Sequence, residues 1–316
     1  MLEKVVATCH AVMAFQCCGY HYTEEPLAHG INFLTQGAGA TSDWSFWRLG
    51  PLLGIDGGYA GLITRDLQTL KGRIEKRAGI HPDQLLPIMA LKADIICQVW
   101  DATETKTFLS ATLEQWTDSS AWAGRGDTTA NALSVLEHYD FENKDHIWLR
   151  SIKLLKGWAN RKRDHVVWGT NVSTAYVLYS IVESKLWEDG ELQELAIRAS
   201  SGLLIRRQPE GYWAPEEPPY GGNADIKEPD FFTAAILRAI CAVETKKDPN
   251  FLLEVQAALR QKRALQVQAL QRRIKDIGEI CQRSIDQEVE KKLKHRTAAL
   301  DLKKLAPREL FSRLSV

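Results

Sequence analysis

Apolar residues recur at steps of three and four along most of this chain, the spacing that places them on one side of a helix. Blocks with that spacing, cut by glycine, proline and charged clusters, predict helices over 4–19, 25–36, 45–55, 59–77, 82–99, 103–116, 127–140, 145–158, 171–185, 189–207 and 229–245. A further helix starts near residue 248. The block at 45–55 is broken by Gly50, Pro51 and Gly54, which interrupt a helical period. Alternating apolar and polar runs, the mark of a half-buried strand, are nearly absent, so the fold class is all-α.

Four blocks align on a threonine: Thr8-Cys-His-Ala-Val-Met-Ala-Phe15, Thr129-Ala-Asn-Ala-Leu-Ser-Val-Leu136, Thr174-Ala-Tyr-Val-Leu-Tyr-Ser-Ile181 and Thr233-Ala-Ala-Ile-Leu-Arg-Ala-Ile240. Their second, fourth, fifth and eighth positions are apolar or small, which wraps more than one face and predicts helices buried on most sides. The first three are each followed by a second helix and a loop that ends in tryptophan, at Trp44, Trp168 and Trp213, which lie 36, 39 and 39 residues beyond the threonine. A further loop of this kind, Gln115 to Trp122, precedes Thr129. Self-similarity at this period, with two helices per unit, is the signature of a repeat architecture. The tryptophans are expected to staple one repeat to the next.

The Gln208-Pro-Glu-Gly-Tyr-Trp213 loop, its relatives at Trp44, Trp122 and Trp168, and the helices that start at Thr129, Thr174 and Thr233 resemble the terpenoid-cyclase and protein-prenyltransferase superfamily. The resemblance covers roughly 1–250 and implies an (α/α)6 toroid of about six helical hairpins, with the first helix of each pair inside and the second outside. It is more specific for fold than for function, because such rings carry several unrelated activities.

The pattern changes past residue 248. Val267, Leu270, Ile274, Ile277 and Cys281 follow three- and four-residue steps; Ile285, Val289 and Leu293 continue in fours, with no proline before Pro307. One long helix, or two with a bend, is expected over some 50–55 residues, about 75–80 Å at ~1.5 Å per residue. A stripe this narrow needs a partner helix, so Leu270, Ile274, Ile277, Ile285, Val289 and Leu293 are read as an assembly face. The expected division is 1–250 toroid and 251–316 basic amphipathic coiled-coil extension, with a short amphipathic end from Arg308 to Val316.

Charge sharpens that division. The chain is neutral overall, with 40 Lys+Arg and 40 Asp+Glu, but residues 250–316 hold 15 basic against 8 acidic residues. The net of +7 there leaves −7 on 1–249, so a basic arm extends from a mildly acidic body. It points to a protein partner or self-association through 251–316. Nucleic acid fits poorly, because the basic residues are interleaved with acids and lack stacking aromatics before Phe311. The six cysteines have neither zinc nor disulfide spacing and read as small buried hydrophobes of a reducing cytosol. No run reaches the ~20 apolar residues of a membrane helix, and a cytoplasmic protein is expected.

The candidate chemistry gathers at the starts of the inner helices. Class II cyclases of the superfamily carry an Asp-x-Asp-Asp-Thr-Ala motif whose middle aspartate is the catalytic acid. Aligned on Thr129-Ala130, this chain reads Arg125-Gly126-Asp127-Thr128. Asp127 is therefore the candidate catalytic residue, although both flanking acids are gone and the Arg125 charge favours a carboxylate over an acid. The competing reading is a helix cap by Asp127, Thr128 or Thr129. The Asp-x-Cys zinc pair of the prenyltransferases is absent; Cys241, Asp230, His10 and His138 lack ligand spacing, so neither metal nor cofactor is expected. In such a toroid the inner helices run parallel, and their N-termini make one rim anion-friendly. Arg125, Arg161 and Arg163 are candidate rim cations for a small anionic molecule. The long loop Gln208 to Asp230 adds Trp213, Tyr220 and Asp225 as candidate ligand or partner contacts. Tyr176, Tyr179 and Trp47 are expected at the central cavity, where aromatic faces stabilise cations or fill space. Two functions remain open: a scaffold without chemistry that binds a protein, peptide or anion at its rim and assembles through its C-terminal helix, or an isoprenoid-handling cyclase or transferase.

Overall fold

The computed structural model describes residues 2–36, 52, 59–76, 85–98, 100–163, 165–213 and 229–303. The helix expected over 45–55, Trp44, Trp47, Tyr220, Asp225 and the end from Arg308 lie outside the described residues, apart from the helical, buried Leu52. The chain divides into two compact units, 1–254 and 255–316.

The first unit is built of helices α1 (Leu2–Cys17), α2 (Glu25–Gln36), α3 (Ala60–Lys76), α4 (Leu85–Cys97), α5 (Ala102–Leu113), α6 (Gly126–Leu136), α7 (Lys144–Gly157), α8 (Asn171–Val182), α9 (Gly190–Ile205) and α10 (Pro229–Lys247). The final helix, α11, runs without interruption from Phe251 to Lys303. Local chemistry explains several starts. Asp101 and Glu104 form a reciprocal capping box on α5. Thr170 caps α8 through the Ser173 amide, and Asp189 caps α9 through that of Leu192.

Two short antiparallel ribbons depart from the expectation of helices and loops alone. Trp116–Thr117 (β1) pairs with Ala121–Trp122 (β2), and Asn160–Arg161 (β3) with Val166–Val167 (β4). Two-residue strands are too short to show alternation, so no pattern announces them. Both form in the loops that lead to a tryptophan. The third such loop closes as a turn, with the Gln208 amide donating to the Tyr212 carbonyl (2.8 Å) and Gly211 at φ 95°.

The tryptophans have one shared bond. The indole N–H of Trp122 donates to the Thr112 carbonyl, that of Trp168 to Leu155 and that of Trp213 to Leu203, each at 2.8 Å. Each acceptor lies in the last turn of the preceding helix, α5, α7 or α9, where carbonyls lack the amide that a continuing helix would supply. The backbone of the same tryptophan then meets the threonine of the helix that follows. Thr174 and Thr233 accept from the amides of Trp168 (3.0 Å) and Trp213 (3.2 Å), while Thr129 donates to the Trp122 carbonyl (3.4 Å). One side chain thus closes one helix and sets the start of the next. Gly126 completes the fit, because a Cβ there would lie 3.0 Å from the Trp168 ring.

Packing follows the same order. α4 lies against α6, α6 against α8, α8 against α10, and α10 against α1. The helices of this series are extensively buried: α6 buries Asp127 to Ala130 and Ala132 to Leu136. The intervening α5 and α7 bury only a stripe, Phe108 and Thr112 in one and Ile147, Ser151 and Leu155 in the other. The meeting of α1 with α10 brings residues 223 apart together, with the Cys18 and Cys241 sulfurs separated by 3.4 Å. Among the described cysteine side chains only Cys9 is fully buried; Cys17, Cys18 and Cys241 are half-buried and Cys281 is exposed, which corrects for these the reading of inert core cysteines. The hydrogen bond from Cys241 holds the Cys18 thiol below its usual range, and a thiolate is the reacting form. Diamide, which takes one hydrogen from each of two thiols, is expected to join Cys18 to Cys241. The linked chain should migrate faster in a non-reducing gel, and Cys241→Ser should abolish the shift; free thiols that stay unchanged in number would contradict the α1–α10 pairing.

Among the described residues no helix is long and apolar enough to cross a membrane.

Candidate functional site

Asp127 lies in the first turn of α6, and the cap position belongs to Arg125, which makes no side-chain cap bond. Asp127 is therefore not the cap that its sequence position suggested. Its carboxylate is instead the centre of a junction. The Arg125 guanidinium grips both oxygens, Nε to Oδ1 at 3.1 Å and Nη2 to Oδ2 at 2.6 Å. The Thr128 amide donates to Oδ1 (2.8 Å), and the Ser173 hydroxyl of α8 donates to Oδ2 (3.2 Å). A carboxylate held by a bidentate guanidinium and two further donors is an acceptor group, not a proton donor aimed at a ligand. The junction also ties the start of α6 to the start of α8.

Two of the other expected rim contacts, Arg161 and Trp213, are similarly engaged. Arg161 pairs with Glu191 at 2.6 Å, and Lys156 reaches Asp189 (2.8 Å) and Glu191 (3.3 Å). Arg161, then Lys156, holds the Glu191 carboxyl below its usual range. Arg163 is exposed on the β3–β4 hairpin. Trp213 is buried at 1% exposure with its indole N–H committed to Leu203, so it is a structural staple and not a ligand contact. Among the described residues no group of His, Cys, Asp and Glu is arranged to hold a metal ion.

A second polar cluster gathers around Tyr176 and Tyr179, which were expected at a central cavity; its other members, His10, Lys92 and Arg238, were not anticipated as a site. The His10 Nε2 of α1 lies 2.9 Å from the Tyr176 hydroxyl of α8. One helical turn further along α8, the Arg238 guanidinium of α10 stacks on the Tyr179 ring at 3.4 Å from its centroid. Lys92 of α4 approaches the same ring, its Nζ 5.3 Å from the centroid. Four helices thus contribute to one neighbourhood. Burial, reinforced by the Arg238 charge, lowers His10 to about 3 and Lys92 to about 8. His10 is therefore neutral near pH 7, whereas Lys92 remains largely charged. Burial likewise raises the hydroxyls of Tyr176 and Tyr179 and the Cys17 thiol, against the opposing pull of Arg238.

The repeat contains a signal for this cluster. In the four aligned helices, the third position is His10, Asn131, Tyr176 and Ala235, and the sixth is Met13, Ser134, Tyr179 and Arg238. Positions three apart share a helix face. Apolar spacing identified the buried positions around this face, and the large polar side chains on it are the ones that meet.

In the second unit, α11 presents Leu270, Ile274, Ile277, Ile285, Val289 and Leu293 between 49% and 68% exposed. Its charges are sorted by position. Residues 255–275 hold Arg260, Lys262, Arg263, Arg272, Arg273 and Lys275 with no acid. Residues 276–294 hold Asp276, Glu279, Asp286, Glu288 and Glu290 against Arg283, Lys291, Lys292 and Lys294.

No protein-family model, curated protein or solved structure matches the chain.

Proposed function

We propose that the chain is a binding scaffold of α/α-toroid type, without chemistry of its own, that assembles with a second copy through α11. The toroid reading is supported by the repeated threonine–tryptophan junctions and by the series α4, α6, α8, α10 and α1. The scaffold reading is supported by Asp127, whose carboxylate is committed to Arg125, Thr128 and Ser173. Ligand capture at the rim would have to displace the exposed Arg161–Glu191 pair, which costs only about 0–1 kcal/mol, whereas Arg125 is committed to the buried Asp127.

The exposed apolar stripe of α11 is the observation that carries assembly. An isolated helix with such a stripe gains little from it in water, and a facing helix buries it. The charge sorting selects the occupant. Antiparallel pairing sets the uniformly basic 255–275 of one copy against the acid-containing 276–294 of the other, whereas parallel pairing sets the basic halves side by side. A crossing near residue 276 also brings Val267 opposite Ile285 and leaves Ile274 and Ile277 at the centre.

Light scattering on the intact chain is expected to give twice the 35.6 kDa chain mass, and deletion of 262–316 to give a single chain. A monomeric intact chain would overturn assembly with a second copy. Turnover of an isoprenyl diphosphate that disappears in Asp127→Asn would replace the scaffold by the enzyme.

A further inference from the structure

We infer that the inner helical series holds a compact oxyanion, of the phosphate or phosphate-monoester class, at Lys92 and Arg238 beside Tyr179. The site is separate from the rim cations and from α11.

The argument begins with charge. Lys92 and Arg238 come from different helices and converge on one ring. Neither has a carboxylate within ion-pair distance among the described residues. Glu183, just beyond α8, is near enough to favour the charged form of Lys92, but it is exposed and makes no ion pair with either cation. Two cations gathered in a poorly solvated place without a counterion are unfavourable. A bound anion reverses that cost.

Hydrogen bonding adds an independent observation. The Arg238 Nε–H is buried and has no hydrogen-bond acceptor. A buried donor left unmade is a costly arrangement that a native structure ordinarily avoids. The guanidinium carbon lies 3.4 Å from the centre of the Tyr179 ring, and hydrogen bonds to Tyr179 and Cys17 hold the group in place. A fixed guanidinium presents its N–H groups in the fork that suits an oxyanion.

Size and charge select the class. The two cations sum to +2 while His10 is neutral, and a phosphate group carries about −1.5 to −2 near pH 7. Monocarboxylates carry half that charge. The Arg238 fork takes two oxygens and the Lys92 ammonium, a point donor on a flexible stem, takes another. Four helices surround the neighbourhood, which favours a small ion or the phosphate end of a small molecule over a macromolecule.

The test is calorimetric titration of the intact chain, in phosphate-free buffer, with inorganic phosphate and separately with phenyl phosphate. Saturable binding of one anion per chain is expected. Arg238→Gln and Lys92→Gln should each weaken it at least tenfold, Arg238→Lys should weaken it less than Arg238→Gln, and the control Lys106→Gln, at an exposed position of α5, should leave it unchanged. Circular dichroism and a melting scan establish that each variant is folded. Absence of saturable binding to the unmodified chain overturns the inference. Wild-type affinity in both folded glutamine variants does the same, as does loss of binding in Lys106→Gln, which would place the anion at the surface. Tighter phenyl phosphate than inorganic phosphate identifies a monoester site; equal affinity identifies a site for the free ion.

Discussion

Ile274→Glu combined with Ile277→Glu is expected to convert the chain from a dimer to a monomer at concentrations where the unmodified protein is fully paired. Both residues lie on the exposed stripe of α11, at 68% and 60% exposure. Burying an isoleucine contributes roughly 1.5–3 kcal/mol. Two positions on each of two copies therefore remove about 6–12 kcal/mol, before the cost of opposing carboxylates is added. At 1.4 kcal/mol per tenfold change, the dissociation constant rises by at least about 10⁴. The helix itself should persist, because glutamate is a good helix former; unchanged far-UV circular dichroism separates lost pairing from lost structure. Sedimentation or light scattering reads the mass directly. A double variant that still runs as a dimer would show that another surface holds the copies together. The antiparallel arrangement carries its own signature. Its charge pairs are exposed on either side of the stripe, so added salt should weaken association only modestly.

The second large effect is on stability. Trp122→Ala should destabilise the chain by about 3–5 kcal/mol, the usual cost of removing a fully buried tryptophan. For a domain of roughly 250 residues that lowers the melting temperature by about 6–20 °C. Trp122→Phe separates the two roles of the residue. It keeps most of the apolar contact but leaves the Thr112 carbonyl without the indole donor that now reaches it at 2.8 Å. An unmade bond at a buried helix end costs about 1–3 kcal/mol. Urea unfolding of the three proteins gives the comparison. Equal stability of Trp122→Phe and the unmodified chain would reduce the tryptophan to a space-filling group and remove the argument that it closes α5.

These two predictions draw on different kinds of information. The α11 stripe was legible from spacing alone, since apolar residues at three- and four-residue steps stay on one side of any helix, whatever surrounds it. The tryptophan junction was legible only as a recurrence. Spacing associated Trp168 and Trp213 with threonines 39 residues earlier, whereas the bonds run to the threonines that follow, Thr174 and Thr233. The period was right and the pairing was displaced by one repeat. A recurrence identifies which residues matter without saying which copy each one touches.

Asp127 shows the same limit from the chemical side. Its neighbour Arg125 was visible in sequence, and so was the conflict between that charge and an acid's role. Ser173, 46 residues away, was not; only the side-by-side packing of α6 and α8 brings it to the carboxylate. Trp213 carried two readings, staple and rim contact; its burial and its bond to Leu203 fit the staple, and only the fold distinguishes a buried loop tryptophan from an available one.

By itself, the sequence determined the helical elements, their repeat of about forty residues, the buried character of the threonine-led helices and the long basic arm. These are short-range properties, since helical periodicity and charge per segment depend on neighbours a few positions away. Tertiary structure alone decided that α1 lies against α10, that Ser173 reaches the Asp127 carboxylate, and that Lys92, His10, Tyr176, Tyr179 and Arg238 share one neighbourhood. The physical reason is that each of those meetings joins helices distant in the chain. No local spacing encodes which polar faces will be turned toward one another, so two cations that look like isolated exceptions in separate helices become a site only when the helices pack.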